Sequence, residues 1–116
     1  MATPRPGRRV RGSHTGRPIM AALDLLGRRW TLRILWELRE GPLTFRGIRE
    51  ACEDVSPSVL NARLRELREA GVVERTEEGY ALTASGRSLR RSLGPLYRWS
   101  QGWRPPRARA AENQGW

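Results

Sequence analysis

Two capped helical segments with a strand hairpin directly behind them lie in the middle of the chain, and this order restricts the fold more than any other feature. Thr44 is placed to cap a helix that runs from Phe45 to about Cys52. After a link of sequence EDVSP, Ser56 acts as an N-cap and Pro57 as a pre-set first residue of a second helix. The spacing is that of a helix-turn-helix.

The period of the apolar residues changes from that of helices to that of strands after Gly71. The runs VVERT and YALT flank Glu77-Glu78-Gly79, and this pattern predicts a tight hairpin. A hairpin directly behind the second helix makes a winged helix-turn-helix. In that arrangement the second helix, here residues 56–70, lies in the DNA major groove.

Three further helices complete the predicted order. The last begins after Thr83, and Pro95 in its middle removes one hydrogen-bond donor, so we expect it to bend this helix or split it in two. The fold class is therefore mainly α with a small β-hairpin (α+β). The remaining predicted bounds are a first helix from Pro18 to Gly27, a second from about Arg29 to Glu40, and a short extended piece at residues 43–45.

Charge is concentrated at the ends of the chain. Residues 18–103 carry 14 Arg against 11 acidic residues, whereas the remaining residues carry 8 Arg against one Glu. Low apolar content predicts a disordered Arg-rich arm at 1–16 and a disordered tail at 104–116, on either side of a domain at 17–103. A net charge of +10 suggests a polyanionic partner, nucleic acid before membrane.

Several classes of protein are excluded by what the sequence lacks. No apolar stretch is long enough to span a bilayer or to act as a secretory leader, so we expect a cytoplasmic protein. One cysteine, Cys52, excludes an internal disulfide, and with a single histidine, His14, it cannot complete a zinc site. No nucleophile with a base and no phosphate-binding loop can be assembled. We therefore expect no enzyme activity, no cofactor and no metal.

The second helix of the pair should present a plain surface to a partner. Its apolar stripe points inward, and small uncharged side chains occupy the opposite side of its first turns. Small side chains would let the backbone approach base edges, and Arg65 could reach a guanine or a phosphate. An ordinary solvated surface, with Arg65 paired to Glu69, explains the same pattern. The residues predicted to contact DNA are Ser56, Ser58, Asn61, Ala62, Arg63, Arg65, Arg68, Arg46 and Arg75.

These elements together resemble a known family. The segments ALDLLGRRWTLRIL, GPLTFRGIRE, SPSVLNARLREL, AGVVER and YALTASGRSL resemble the HxlR-type transcription regulators, a branch of the MarR-like winged helices. The resemblance covers roughly residues 17–103. It implies a homodimer joined through the first and last helices, binding to a pseudo-palindromic site on double-stranded DNA, and control by redox state or a small molecule.

Three departures from the family pattern qualify this expectation. The cysteine that the family usually has before the first helix is replaced by Arg17, so sensing through that thiol is not expected. Ser58 and Asn61 stand where the family commonly has a basic residue and a hydroxyl, so the target sequence should differ. The wing is short, and Glu77 and Glu78 at its tip would repel phosphate.

The acidic wing leads to a hypothesis about the N-terminal arm. An Arg-rich arm can lie in a minor groove or along the backbone, as the arms of homeodomains do. It would then replace the contacts of a basic wing, whereas the alternative is an arm without a role. The arm residues predicted to contact the DNA backbone are Arg5, Arg8, Arg9 and Arg11.

Tryptophans are concentrated on the second and last helices. Trp30, Trp36, Trp99 and Trp103 could pack in the core and at an interface, which we favour, or line an effector pocket at the dimer seam. A rival function is a winged-helix protein-protein adaptor that has lost specific DNA binding, which the acidic wing would suit. The predicted dimer interface comprises Ile19, Leu23, Leu93, Leu96, Tyr97, Trp99 and Trp103.

Overall fold

The computed structural model describes residues 3, 6 and 17–106, and it confirms the predicted order of elements. The fold is mainly helical, with one two-stranded antiparallel sheet. The elements are α1 (Pro18–Leu26), α2 (Thr31–Glu37), α3 (Phe45–Cys52), α4 (Pro57–Glu69), β1 (Val73–Thr76), β2 (Gly79–Leu82) and α5 (Ala84–Gly102).

The hydrophobic core lies where α2, α3, α4 and the hairpin meet. Side chains at helical spacing face inward on each helix, because burial of one apolar stripe is what stabilises a short helix in a small domain. Cys52 belongs to this core and is only 2% exposed. The largest fully buried apolar side chains are Ile34, Leu38, Ile48, Val55, Leu60, Leu64 and Leu67.

Helix α2 is shorter than the predicted helix at both ends. Trp30, which was expected within it, lies at φ 77° in the left-handed region, so the helix begins at Thr31. Its ring is partly buried and packs against the core cluster, and core packing of this tryptophan is therefore confirmed. At the other end, Leu38 leaves the helical conformation before the glycine at 41. The spacing of the apolar residues did not predict where α2 begins or ends, because both ends depend on how the chain turns between helices.

The wing is a compact hairpin attached to the start of α3. Val73 pairs with Leu82 and Thr76 with Gly79, which leaves a two-residue loop of Glu77 and Glu78. Leu43 adds a single antiparallel bridge to Tyr80, with N···O distances of 3.0 and 2.8 Å. The predicted extended piece is therefore a one-residue bridge.

A glycine is required where this bridge meets the hairpin. Gly79 has a φ of 124°, and a Cβ atom there would overlap the carbonyl of Leu43 and lie 2.8 Å from the backbone nitrogen of Thr44. An L side chain fits neither the conformation nor the space. The hairpin can therefore pack closely against the residues that precede α3 only because this position has no side chain.

Helix α5 is tied to the hairpin at its N-terminus and continues without a break. Thr83 caps it by accepting a hydrogen bond from the Gly86 nitrogen at 3.0 Å, and its hydroxyl donates to the Gly71 carbonyl at 2.6 Å. Of the two effects expected at Pro95, splitting does not occur, since one helix spans Ala84–Gly102. Pro95 is exposed, so the carbonyl without a helical partner can be hydrated.

The expectations of disorder at 1–16 and 104–116 fall largely outside the described residues. The predictions for the arm residues also lie outside the described residues, and these residues are Arg5, Arg8, Arg9, Arg11 and His14. Within the part of the chain that is described, no helix combines the length and the apolar character needed to cross a membrane.

Candidate nucleic-acid interface

The turn between α3 and α4 sets the orientation of α4 relative to α3. Thr44 and Ser56 are both N-caps, as predicted: the Thr44 hydroxyl accepts from the Gly47 nitrogen at 3.0 Å and the Ser56 hydroxyl from the Val59 nitrogen at 3.2 Å. Between the helices the chain reverses at Glu53, which has a φ of 64°. The buried side chain of Val55 anchors the turn in the core. The first turns of α4 are therefore held at the surface by local bonds and one apolar contact.

One side of α4 is exposed to solvent from Ser58 to Arg68, apart from the half-buried Ala62. Its inner stripe of Leu60, Leu64 and Leu67 is buried, as the spacing predicted. Ser58 and Asn61 are exposed near its beginning, where the side chains are small. Ala62, Arg65 and Arg68 continue the same side, Ala62 being half-buried and the two arginines exposed. No element of the described structure covers this surface.

The pair between Arg65 and Glu69, which the alternative of an ordinary solvated surface included, does not form. Glu69 instead accepts a hydrogen bond from the hydroxyl of Thr3, which brings one residue of the N-terminal arm to the C-terminal end of α4. Among the described residues, neither Arg65 nor Arg68 makes an ion pair or a side-chain hydrogen bond. The charges of both are therefore available to an outside anion.

Arg63 is half-buried and is held by a network of hydrogen bonds and ion pairs. Its guanidinium donates to the Arg29 carbonyl at 3.0 Å and to Glu66 Oε1 at 2.6 Å. Glu66 is 8% exposed, and its second oxygen meets Arg28 at 3.0 Å. Arg28 in turn contacts Asp24 on α1 at 3.3 Å. These bonds use two of the five N–H groups of Arg63, so its contact with a phosphate stays a prediction.

This network connects α1 to the inner edge of α4. The spacings of Arg63 with Glu66 and of Asp24 with Arg28 are local signals, but the pairing of Arg28 with Glu66 joins residues far apart in sequence. Buried charges are tolerated when they are paired and hydrogen-bonded. The ion pairs from Asp24 through Arg28 and Glu66 to Arg63 therefore fix the position of α4 relative to α1.

The other predicted phosphate contacts lie on either side of α4. Arg46, on α3, is exposed and pairs with Glu50 at 3.1 Å. Arg75, on β1, places its guanidinium 5.6 Å from the centre of the Tyr80 ring. Glu77 and Glu78 are exposed, so the tip of the wing presents negative charge, as the sequence predicted.

Cys52 has none of the properties of a reactive thiol. Burial raises its pKa above the ordinary value of 9.0, and the nearby charge of Arg33 only partly opposes that effect. The guanidinium of Arg33 donates to the Ala51 carbonyl at 2.7 Å and pairs with Glu37 at 2.7 Å. A protonated, enclosed thiol is a poor nucleophile. Within the described residues no cluster of metal-ligating side chains is found.

Large apolar side chains are exposed on α1 and α5. Ile19 and Leu23 are more than half exposed on α1, and on α5 Trp99 stacks on Trp103 with ring centres 5.1 Å apart. An exposed apolar strip of this kind marks an interaction surface. Of the residues predicted for a dimer interface, Leu93 is half-buried, and the exposed ones are Ile19, Leu23, Leu96, Tyr97, Trp99 and Trp103.

A helix-turn-helix whose second helix has an open outer side, followed directly by a hairpin, defines the winged-helix class of DNA-binding domains. The chain belongs to the HxlR-like helix-turn-helix family, whose model matches residues 25–108. It is therefore a DNA-binding transcriptional regulator of the helix-turn-helix type, and not an enzyme.

Proteins of two organisms are similar to this chain in sequence or in structure. The chain is 35% identical over 92 residues to the uncharacterized HTH-type transcriptional regulator YvaP of Bacillus subtilis, covering 73% of this chain and 85% of that protein. The structure of quinone-bound YodB from B. subtilis has a TM-score of 0.68 and 33% identity, covering 73% of this chain and 97% of that one. A possible HxlR family transcriptional factor from Thermoplasma volcanium has a TM-score of 0.66 and 31% identity, covering 81% and 92%.

Proposed function

We propose that this regulator binds a specific DNA sequence as a homodimer, with α4 of each copy in the major groove. The observation that carries the proposal is the open outer side of α4, where Ser58, Asn61 and Arg65 are exposed on a helix held firmly from behind. A major groove about 12 Å wide admits a helix only when its side chains do not block the approach. The small residues of the first turns meet that condition.

Base recognition would come from two of these side chains. The Asn61 amide can donate to and accept from adenine, and the Arg65 guanidinium can donate two hydrogen bonds to guanine. Arg68, on α4, and Arg46, on α3, would contact phosphates, which fixes the register of the helix on the duplex. The unpaired charge of Arg65 makes it the residue on which specificity depends most.

A homodimer would form through the exposed apolar side chains of α1 and α5. A two-fold axis pairs each strip with the same strip of the second copy, which removes the exposed tryptophans from water. It would also place two α4 helices on successive turns of one face of the duplex, about 34–36 Å apart. The preferred site would then be a pseudo-palindrome, and the protein would act in the cytoplasm.

The arm at 1–16 would supply the backbone contacts that the acidic wing lacks. Two observations support this. The segment contains Arg5, Arg8, Arg9 and Arg11 and no acidic residue. Glu77 and Glu78 are exposed at the tip of the wing, where their charge would repel phosphate. We also propose that regulation does not use thiol oxidation. A relative, HypR, is described as a redox regulator, but the one cysteine of this chain is buried and its pKa is raised.

The test is selection of bound fragments from a library of random duplexes, followed by binding measurements on the selected sequence. We expect a palindromic motif whose half-sites are about one helical turn apart. Arg65→Ala should cost about 1–3 kcal/mol on the selected site, roughly 5- to 150-fold in affinity, and relax one base preference. The matched control is Arg91→Ala, an exposed arginine on α5, which should bind DNA as the unaltered protein does.

The adaptor alternative gives a different outcome. A protein-binding winged helix would select no motif, would bind DNA weakly and without sequence preference, and would be insensitive to Arg65→Ala. That result would refute specific DNA recognition by α4.

A further inference from the structure

Arg29 is an exposed arginine in the segment between α1 and α2. Its backbone carbonyl accepts a hydrogen bond from the Arg63 guanidinium at 3.0 Å, which fixes this segment against the middle of α4. Its own guanidinium lies 5.8 Å from the centre of the Trp30 ring. Arg29 is therefore held beside α4 through its backbone, while its side chain is open to solvent.

The charge of Arg29 is not neutralised by the acidic residues of the adjoining network. Asp24 pairs with Arg28 at 3.3 Å. Glu66 pairs with Arg28 at 3.0 Å and with Arg63 at 2.6 Å. In the described part of the chain, Arg29 forms no ion pair and its side chain makes no hydrogen bond. Its charge is therefore available to an anion from outside.

Arg29 lies beside one flank of α4, and the exposed Asn61 and Arg68 lie on the other. With about 3.6 residues per turn, Asn61 and Arg68 are close to two turns apart on one side, whereas Arg63 projects roughly 140° away from Arg68. On the flank of Arg63 the helix itself offers the buried Glu66 and no exposed arginine. An exposed positive charge on this flank must come from another element, and Arg29 supplies it.

A helix in the major groove has a sugar-phosphate backbone along each of its flanks. An α-helix with its side chains is about 10–12 Å across, and the groove is about 12 Å wide, so the two backbones pass close to the helix on both sides. If Arg68 contacts one strand, the other strand passes the flank beside which Arg29 lies. Contacts to both strands fix the position of a helix in the groove.

We propose that Arg29 binds a backbone phosphate of the DNA strand that lies across the major groove from Arg68, with Arg63 as the positioning residue that holds Arg29 beside α4. This contact requires α4 in the groove and so rests on the proposed function. The planar fork of N–H groups on arginine matches the oxygens of a phosphate. A phosphate contact carries no sequence information, so Arg29 should add affinity without changing the base preference.

The experiment compares Arg29→Gln with the unaltered protein on the selected duplex and on a scrambled duplex, from about 50 to 200 mM salt. The substitution keeps the carbonyl that Arg63 bonds, so urea unfolding should be unchanged. A dimer loses two phosphate contacts, and the plot of log affinity against log salt should flatten by about 1.8. The loss of affinity should therefore be roughly tenfold larger at the lowest salt than at the highest. The ratio of affinities for the two duplexes should change by less than about twofold.

Two controls locate the effect. Arg91→Gln removes an exposed arginine from α5 and should leave the slope unchanged. Duplexes in which single phosphates are replaced by neutral methylphosphonates should reveal one position in each half-site that weakens the unaltered protein but not Arg29→Gln. The same mapping with Arg68→Gln should identify a phosphate on the other strand.

The outcomes separate this contact from the proposed function. A selected motif that depends on Arg65, together with an unchanged slope in Arg29→Gln, would overturn the contact alone. Sensitive phosphates on one strand for both Arg29→Gln and Arg68→Gln would also overturn it. The absence of any selected motif, with no effect of Arg65→Ala, would refute the proposed function and the contact with it.

Discussion

Removal of the buried carboxylate of Glu66 should strongly destabilise the domain. The carboxylate accepts bonds from Arg28 at 3.0 Å and Arg63 at 2.6 Å, and the three side chains are 11–20% exposed. Removal of one member of a buried ion network leaves the others uncompensated, at a cost of about 3–5 kcal/mol when burial is complete. The partial exposure of these groups lowers the expected cost of Glu66→Ala to about 2–4 kcal/mol.

A matched variant separates the effect of burial on stability from the effect of losing an ion pair. Glu50 also pairs with an arginine on its own helix, Arg46, at 3.1 Å, but both side chains are largely exposed. An exposed helical pair contributes about 0.3–0.5 kcal/mol. Glu50→Ala should therefore have a small effect, although the same type of residue is removed from the same type of pair.

The measurement is urea unfolding of both variants and the unaltered protein, at one protein concentration because dimerisation contributes to apparent stability. Added salt should reduce the small effect of Glu50→Ala more than the larger effect of Glu66→Ala, since buried pairs are screened less. Equal decreases of stability in the two variants would refute the conclusion that the network from Asp24 to Arg63 holds α4 in place.

Three further predictions concern particular positions. Gly79→Ala should destabilise the domain by roughly 2–4 kcal/mol in the same urea assay, because it adds both backbone strain and an overlap with Leu43, and a decrease below about 1 kcal/mol would contradict this close approach. Since the folded-state pKa of Cys52 is raised, the free energy of unfolding should be unaffected by this thiol below about pH 9 and should fall as the pH rises through the folded pKa. Cys52→Ala should remove this pH dependence, and an unchanged profile would argue against the burial of the thiol. Deletion of residues 2–16 should flatten the plot of log affinity against log salt by about 0.9 for each phosphate that the arm neutralises, whereas an equal slope would show that the arm has no part in DNA binding.

The fold was predictable from sequence wherever the signal was local. Thr44, Ser56 and Thr83 cap helices through bonds to residues three positions ahead, and the two-residue turn at Glu77 and Glu78 depends on its neighbours alone. Such features require no knowledge of the rest of the chain. The open side of α4 was likewise predictable, because it follows from the periodicity of the three inward leucines.

Features that depend on contacts between distant segments were not predicted. Trp30 adopts a left-handed conformation because the chain must turn between α1 and α2, and nothing in its immediate sequence requires this. The bonds of Arg63 to Glu66 and to the Arg29 carbonyl belong to a network whose other member, Arg28, lies far away in the sequence. A groove lies between α2 and α5, and its shape depends on the packing angle of the two helices, which the apolar period does not supply. Trp36 was expected to pack in the core or at an interface, and it stacks on Tyr97 at the edge of that groove.

The attachment of the hairpin to the residues before α3 separates the base of the wing from its tip. Leu43 and Tyr80 exchange two backbone hydrogen bonds, and Gly79 lies against the same backbone, so the base is fixed with the helix-turn-helix as one unit. The tip residues Glu77 and Glu78 take no part in that attachment. The tip of the wing can therefore be changed independently of its base. A longer loop with basic residues could be grafted between Thr76 and Gly79 to alter the affinity for DNA while α4 keeps its orientation.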